Sequence, residues 1–302
     1  MSFSGARTSA VIVHYKTPDD TVEAVRALAA TAPETEVVVV DNASGDSIAR
    51  RLSVEAPAVR LLVEAENRGF GAACNRGAGE TERPLLLFLN SDAFVQPGAV
   101  DLLAAALDSD PRAAAVGPRL ENPDGTLQPS ILRFPTLWRI FCESSGLAFL
   151  AGGRGPFRGH SATREDHSSS RPVESVKGAA MLIRRSAFEQ VGGFDESFFL
   201  YAEESDLARR WRDLGWRVLF EPAARVGHRG GASGGDALSG QLHEGLAQYV
   251  ARHHGPTAAR LARIVLRGGA AARYAISLVT PGERGRIRRE RYRAALAGAR
   301  RT

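Results

Sequence analysis

The stretch Leu85-Leu-Leu-Phe-Leu-Asn-Ser-Asp92 decides how the chain is read. Five apolar residues in succession describe a strand buried on both faces, as in sheets that helices cover on either side. The run then breaks on Asn90, Ser91 and Asp92, which sets a carboxylate where the strand meets solvent. In open α/β sheets, ligands bind in the crevice beyond the carboxyl ends of the strands. Thr35-Glu-Val-Val-Val-Val40 behaves the same way and ends on Asp41-Asn42. Two buried strands that each deliver an Asp at the C-terminal end predict one charged site built from both.

Around these two strands the pattern alternates. Ala10–His14, Val37–Val40, Val59–Val63 and Leu85–Leu89 read as strands. Thr21–Ala30 (capped by Asp20 or Thr21), Ser47–Glu55, Gly71–Gly79 and Pro97–Leu107 read as helices. Such β-α-β-α order with continuous apolar strands predicts an α/β fold: a mostly parallel, Rossmann-like sheet flanked by helices. After Pro111 the signal weakens to short strand candidates at Val116, Leu127-Gln128 and Met181–Ile183. Gly152–Pro172, rich in Gly, Ser, Arg and His, reads as a mobile loop, either a tolerated insertion or a flap on the acceptor side. Glu203–Leu214 reads as an amphipathic helix stopped by Gly215, Arg217–Phe220 as a strand, and Arg225–Ser233 as a Gly-rich loop carrying His228.

Composition narrows the function classes. With 302 residues and 44% hydrophobic content the chain supports a packed core. Cys74 and Cys142 show no disulfide framework, and with no apolar leader the expected compartment is the cytoplasm. No apolar stretch reaches the roughly 18–20 residues of a membrane span. Charge is uneven: from Gln241 onward there are 13 Arg against 3 Glu, a net of +10, which leaves −5 on the first 240 residues of a chain at +5. The expected organisation is a domain over 1–240 and a basic helical extension over 241–302. A basic tail fits nucleic acid or an anionic membrane face. No nucleic-acid motif accompanies it, so contact with the inner face of the cell membrane is the expectation, set against terminal helices that pack on the body.

Five places carry chemistry. Asp92, behind Asn90 and Ser91, offers the few-carboxylate partial site that Mg²⁺ completes with diphosphate oxygens and water; its bland account is a turn cap. Asp41 can accept hydrogen bonds from a nucleoside, or form an Asx-turn with Asn42 and Ser44, or both. Asn67-Arg68-Gly69-Phe70-Gly71, followed by Asn75, resembles a Gly-rich phosphate loop but lacks the spacing of the dinucleotide and P-loop fingerprints. Tyr201-Ala-Glu-Glu-Ser-Asp206 puts three acids at a helix start, where the dipole alone would favour them. They also suit a general base, and Glu203 shares a face with Asp206 while Glu204 points elsewhere. His228 is an ordinary loop histidine or a metal ligand.

In this order the motifs resemble those of inverting family-two glycosyltransferases with the GT-A fold, and among them the rhamnosyltransferase-like branch that builds cell-wall and surface glycans. The likeness runs from about Val11 to Ser233. It rests on Val13-His-Tyr-Lys16, Val40–Ser44, Asn67–Gly71 with Asn75, Leu89–Asp92, Lys177–Arg184, Gly193–Glu196, Phe199–Asp206 and His228. The resemblance implies metal-dependent, inverting transfer of a hexosyl group from a nucleotide sugar, dTDP-rhamnose or a UDP-sugar, to a glycan or polyprenyl-linked acceptor. It implies donor contacts from His14, Tyr15, Asp41, Asn42, Asn67, Arg68, Gly69, Asn75, Ser91, Gly178 and Ala179. It implies a divalent cation (Mg²⁺ or Mn²⁺) on Asp92 and His228, acceptor positioning by Asp195 and Asp206, and a catalytic base at Glu204, with Glu203 as the other candidate. Two positions depart from the family pattern: Glu204 stands where an Asp is usual, and Asn90 replaces the first acid of Asp-X-Asp. A sugar nucleotidyltransferase is the competing enzyme reading, although His14–Asp20 lacks its basic Gly-rich start. An inactive glycan- or membrane-binding scaffold is the competing non-enzyme reading.

Overall fold

The structure is a computed structural model that describes residues 4–230 and 238–297. Its first half follows the sequence pattern: β1 (Thr8–His14), α1 (Pro18–Thr31), β2 (Glu36–Asp41), α2 (Ile48–Glu55), β3 (Arg60–Val63), α3 (Phe70–Ala78) and β4 (Leu85–Asn90). Helix α1 starts on Pro18, earlier than either expected cap, with Asp19 and Asp20 in its first turn. Proline suits that place, because its missing N–H is one a helix start leaves unused, and the two acids complement the dipole. Strands β3, β2, β1 and β4 lie parallel in that spatial order, with His14 opposite Asp41 and Val13 opposite Asn90. Their C-terminal ends therefore form one rim.

Beyond β4 come β5 (Ala93–Val95), α4 (Ala99–Ser109), β6 (Ala113–Glu121), β7 (Leu127–Gln128) and β8 (Ile131–Leu132). Then follow α5 (Leu137–Ser144), α6 (Leu147–Leu150), β9 (Arg171–Val173), β10 (Ser175–Val176), β11 (Ala180–Arg184), α7 (Arg185–Gln190), α8 (Glu203–Asp213) and β12 (Arg217–His228). The sheet continues β4-β11-β6-β12-β5, with β11 antiparallel to β4 and to β6. The single position expected at Val116 is thus a nine-residue strand, β6. His228 ends a strand instead of sitting in a Gly-rich loop: a bulge between Glu221 and Arg225 absorbs Pro222 and lets β12 run on to pair with β5. The part of that expected loop from 231 to 233 lies outside the described residues.

The segment expected to be a mobile loop, 152–172, is pinned by its polar residues. Arg133 donates to the Gly159 carbonyl at 3.0 Å and pairs with Glu165. Glu143 accepts from the backbone N–H of His160 and Ser161, and the buried His167 ring accepts from the Ser130 N–H at 3.2 Å. Aperiodic polar sequence hid these partners, because each lies far away along the chain.

Alternation along the strands gives the sheet a core on each face. Ala10, Ile12 and Val39 pack with α1, α2 and α4, while Val11, Val38, Val40 and Phe88 pack with α3, α7 and α8. Three helices follow: α9 (Leu238–His254), α10 (Pro256–Leu278) and α11 (Gly282–Ala297). Leu246, Tyr249 and Val250 of α9 and Ala259, Ala262 and Leu266 of α10 belong to the same core as Phe88 and Trp211. Cys74 and Cys142 are buried and unbridged. Among the described residues no helix is long and apolar enough to cross a membrane.

Candidate active site

The rim formed by β2, β1 and β4 is cross-braced. Asp41 is buried and accepts the Ser44 N–H at 2.9 Å, the expected Asx-turn, while the Ser44 hydroxyl accepts the Lys16 N–H at 3.0 Å. Thr17 and Ser91 join their hydroxyls at 2.8 Å, which ties the loop after β1 to the one after β4. The His14 ring is fully buried between Thr21 (2.7 Å) and Asp46 (3.0 Å). Burial holds its pKa down against the pull of Asp46 and Asp41. His14 therefore shapes the rim from beneath, and the turn formed by Tyr15 and Lys16 lies above it.

Asn42 organises the Gly-rich loop. Its amide nitrogen donates to Asn67 Oδ1 (2.8 Å) and to the Gly69 carbonyl (3.2 Å), and its oxygen accepts the Arg68 N–H (3.2 Å). Gly69, at φ 92°, leads into α3 so close to Phe199 that a Cβ there would meet the Phe199 carbonyl oxygen at 2.2 Å. Phe70 N–H donates to that same oxygen at 2.9 Å. Asn75 exchanges two hydrogen bonds of 2.9 Å with the Phe194 backbone, and Arg68 pairs with Glu196 at 2.5 Å. The loop is thus fastened to the segment that leads into the acid cluster.

Asp92 and His228 come together because β5 pairs with the end of β12, setting Ala93 opposite His228. Asp92 Oδ1 lies 3.3 Å from His228 Nε2, and Asp92 Oδ2 accepts the Gly230 N–H at 2.9 Å. Burial opposes ionisation of Asp92, but the hydrogen bond and charge of His228 and the Gly230 N–H outweigh it and hold its pKa low. His228 Nδ1 sits 2.7 Å from Gln128 Oε1, so with Nδ1–H donated there the Nε2–H of the charged ring serves Asp92, and loss of that proton would free the Nε2 lone pair for a cation; Asn90 Nδ2 is 3.3 Å from the same nitrogen. A carboxylate and an imidazole oriented by an outer amide fit a divalent cation. Among the described residues no cluster of three or more His, Cys, Asp and Glu side chains stands ready to hold a metal. Asp92 and His228 would supply only part of a shell, of the kind that phosphate oxygens and water complete.

The acid pair sits on a strained turn. Tyr201 and Ala202 both adopt φ 69°, unusual for residues with a Cβ, directly before Glu203 opens α8. Glu203 and Glu204 are 4% and 9% exposed, and Glu203 Oε2 has no hydrogen-bond partner among the described residues. Burial raises both carboxyls, that of Glu204 to about 7 despite the nearby positive groups of His160 and Lys177; Glu203 stands well above its ordinary value through burial and the charge of Glu204. Burial first, and then the charges of Glu203, Glu204 and Asp92, push the Tyr201 hydroxyl up to about 12. The two glutamates face different ways, as their spacing predicts: Glu203 bears on Cys74 in the core, and Glu204 on Lys177 and Gly178. The Ala179 carbonyl accepts the Asn90 N–H at 2.9 Å, which keeps the Gly178-Ala179 backbone beside the strand-end acids.

The remaining two acids are spoken for by α9. Asp206, fully buried, pairs with Arg210 (2.8 Å), Arg252 (3.1 Å) and His253 (2.8 Å), and Asp195 pairs with Arg252. The structure does not bring Asp206 to the rim. It does bring there Gln128, His160, Lys177 and Tyr201, which the sequence did not single out as site residues. Of these Lys177 and Tyr201 carried a signal, since each lies in a matching motif, Lys177–Arg184 and Phe199–Asp206.

The family described as glycosyl transferase family 2 matches residues 9–192. A relative from Mycobacterium tuberculosis, N-acetylglucosaminyl-diphospho-decaprenol L-rhamnosyltransferase, is 35% identical over 81% of this chain and 83% of its own length. Among solved structures, the mannosyltransferase PcManGT from Pyrobaculum calidifontis, in complex with GDP-Man and Mn²⁺, superposes with a TM-score of 0.58 at 18% identity, covering 96% of this chain and 85% of that one. TarS from S. aureus gives 0.53 at 16% identity over 93% and 77%. At such identities the structural likeness speaks for the GT-A fold alone. With the family match over residues 9–192 and the 35% identical relative, the chain belongs to glycosyltransferase family 2 and is a glycosyltransferase.

Proposed function

We propose that the chain transfers a sugar, rhamnose before others, from a nucleoside-diphosphate donor to a hydroxyl of a lipid-linked glycan in cell-wall or surface-polysaccharide synthesis, with inversion at the anomeric carbon. The choice of sugar and acceptor follows the 35% identical rhamnosyltransferase, whose name gives its acceptor as N-acetylglucosaminyl-diphospho-decaprenol. The observation that carries the mechanism is the gathering of Asp41, Asp92 and the Glu203–Glu204 pair at one end of the sheet, with Tyr201 sensing three of those acids.

In this reading Asp41 and the loop held by Asn42 receive the nucleoside, and the backbone at Gly178-Ala179 lies beside the donor sugar. Asp92 and His228 would hold a divalent cation, which would supply positive charge beside the diphosphate. Glu204, with a carboxyl near 7, takes the proton of the acceptor hydroxyl as that oxygen bonds to the anomeric carbon. The bond from that carbon to the diphosphate oxygen breaks in the same step, and its electron pair leaves with the diphosphate. Glu203, its carboxyl raised by burial and turned toward Cys74, takes no part in the proton transfer. Glu204→Gln should lower turnover by roughly 10²-fold or more while nucleotide affinity in calorimetric titration stays put; full turnover in that variant sinks the assignment.

A lipid-linked acceptor sets the work at the cytoplasmic face of the membrane. Helix α10 suits that face, since Ile264, Ile276 and Val279 are exposed among the arginines of the C-terminal region. Replacing exposed arginines of α10 and α11 by Glu should weaken co-sedimentation with anionic liposomes, and undiminished co-sedimentation removes the membrane contact from the proposal.

A further inference from the structure

A cavity of about 330 Å³ opens beside α5, α6 and the pinned 152–172 segment, away from the rim. Arg133, Arg164, Arg273 and Glu143 are its charged lining, and Ala148 and Phe149 are among its apolar lining. Glu143 is already engaged by His160 at 2.7 Å and by Ser161, and Arg133 by Glu165, which leaves Arg164 and Arg273 as cavity cations with no carboxylate partner among the described residues. Burial, and then Arg158 and Arg139, lower the pKa of Arg133, which marks a place crowded with positive charge. Arg154 and Arg158 stand exposed nearby with no ion pair among the described residues.

At the mouth of this basic cavity the chain leaves large apolar groups in water. Phe149 and Leu150 are 72% and 79% exposed. Trp138, also exposed, stacks on Phe141 at 5.6 Å and lies 6.2 Å from Phe157. An apolar patch of this kind on a soluble surface marks an interaction site, and tryptophan with arginine is the pairing enriched where hydrocarbon meets headgroups. Arg133 of the cavity follows Leu132, which pairs with Ser175, and the Ser175 hydroxyl donates to the Glu204 carbonyl at 3.4 Å, so β8 and β10 connect the cavity to the acid that faces the acceptor.

We propose that this cavity and its aromatic mouth bind the carrier end of the acceptor: a phosphate or diphosphate against the arginines and the first isoprene units against Phe149, Leu150 and Trp138. The proposal deepens the transfer reading and rests on it for the identity of the lipid. A free phosphate would leave the aromatic patch uncovered, and a neutral hydrocarbon would leave Arg164 and Arg273 without counter-charge. Only an amphiphile with both parts satisfies both surfaces.

The test is flotation of the full chain with three vesicle types: phosphatidylcholine alone, phosphatidylcholine with phosphatidylglycerol, and phosphatidylcholine with undecaprenyl diphosphate at the same total charge. The third should retain the protein most strongly. The Phe149→Ser, Leu150→Ser double variant and, separately, Arg164→Ala should each reduce that retention, by roughly tenfold for the double variant. Their side chains are exposed, so an unchanged melting temperature checks that they fold. Equal retention on phosphatidylglycerol vesicles means a generic anionic-headgroup surface and overturns the proposal, as does retention indifferent to the substitutions. Flotation needs neither donor nor turnover, so a chain that floats as expected but transfers no sugar would sink the preceding reading and leave this site standing.

Discussion

Gly245 of α9 lies against the backbone of Tyr201 so closely that a Cβ at 245 would meet the Tyr201 carbonyl oxygen at 2.3 Å. Tyr201 is the first of two residues held at φ 69° immediately before the acid pair. A turn of that kind persists only when its surroundings over-determine it, and α9 is one of those surroundings. Gln248 donates to Ser197 at 2.8 Å, and Arg252 with His253 locks Asp195 and Asp206, so the helix holds the whole segment between Phe194 and α8.

Gly245→Ala should therefore reverse the usual rule. In an open helix interior the change gains about 0.8–1 kcal/mol. Here the methyl group has no space, and overpacking should cost about 1–3 kcal/mol. Urea denaturation measures the difference, and a variant more stable than its parent contradicts the contact. Turnover should fall further than donor affinity, because the displaced atoms belong to the turn that carries Glu204.

The acid pair gives a pH signature of definite sign. Folding lifts Glu204 from 4.5 to about 7, so between those values the folded chain binds a proton that the unfolded chain has released. Stability contributed by Glu204 is full below pH 4.5 and declines as pH rises through about 7. Activity moves the other way, because a base must be ionised: kcat should climb through about pH 7 and level off above it. Glu203, held neutral by burial, should tolerate replacement by Gln with less than roughly tenfold loss. A profile that is flat from pH 5 to 8, or a Glu203→Gln variant as inactive as Glu204→Gln, exchanges or cancels the two roles.

Gln128 contacts no substrate in the proposed scheme, yet its Oε1 fixes the orientation of the His228 ring. Gln128→Ala should weaken Mn²⁺-dependent nucleotide binding by roughly 10–100-fold, the usual effect of losing an outer-sphere partner. Asp92→Asn should weaken it at least as much. Calorimetry with and without chelator separates the cases: without metal, all three proteins should bind nucleotide alike. A Gln128→Ala variant that titrates like the parent in Mn²⁺ would show that Gln128 does not orient the ligand.

Truncation after Gly240 should leave no cooperatively folded protein. It removes Leu246, Tyr249, Val250, Ala259, Ala262 and Leu266 from the core around Phe88 and Trp211. At about 1.5–3 kcal/mol for each large buried side chain, the loss rivals the roughly 5–15 kcal/mol net stability of a domain. Thermal melting followed by circular dichroism decides it, and a sharp transition in the truncated chain would mean that the earlier residues fold alone.

Much of the rim was legible because β2 and β4 announce themselves locally: four valines before Asp41, and five apolar residues before Asn90. The parts that stayed hidden depend on distant partners. Strand β6 is rich in alanine and carries Gly117 and Pro118, so neither periodicity nor propensity marks its length. Strand β12 hid behind Pro222, which the bulge tolerates. The positive φ of Tyr201 and Ala202 has no sequence mark, since neither is glycine or asparagine. Gln128 and His160 become site residues only once β7 and the 152–172 segment are folded against the sheet. The arginines of the last 62 residues drew attention to charge and away from the apolar face that α9 and α10 bury.

Two glycines, Gly69 and Gly245, press bare backbone onto the same short run, Phe199 from one side and Tyr201 from the other. This matters for anyone recombining such enzymes. A chimera that joins the donor-reading half of this protein to a foreign acceptor module cannot be cut where composition changes, near residue 240. The splice must come after His254, or the transplanted half arrives with one jaw of its vice missing.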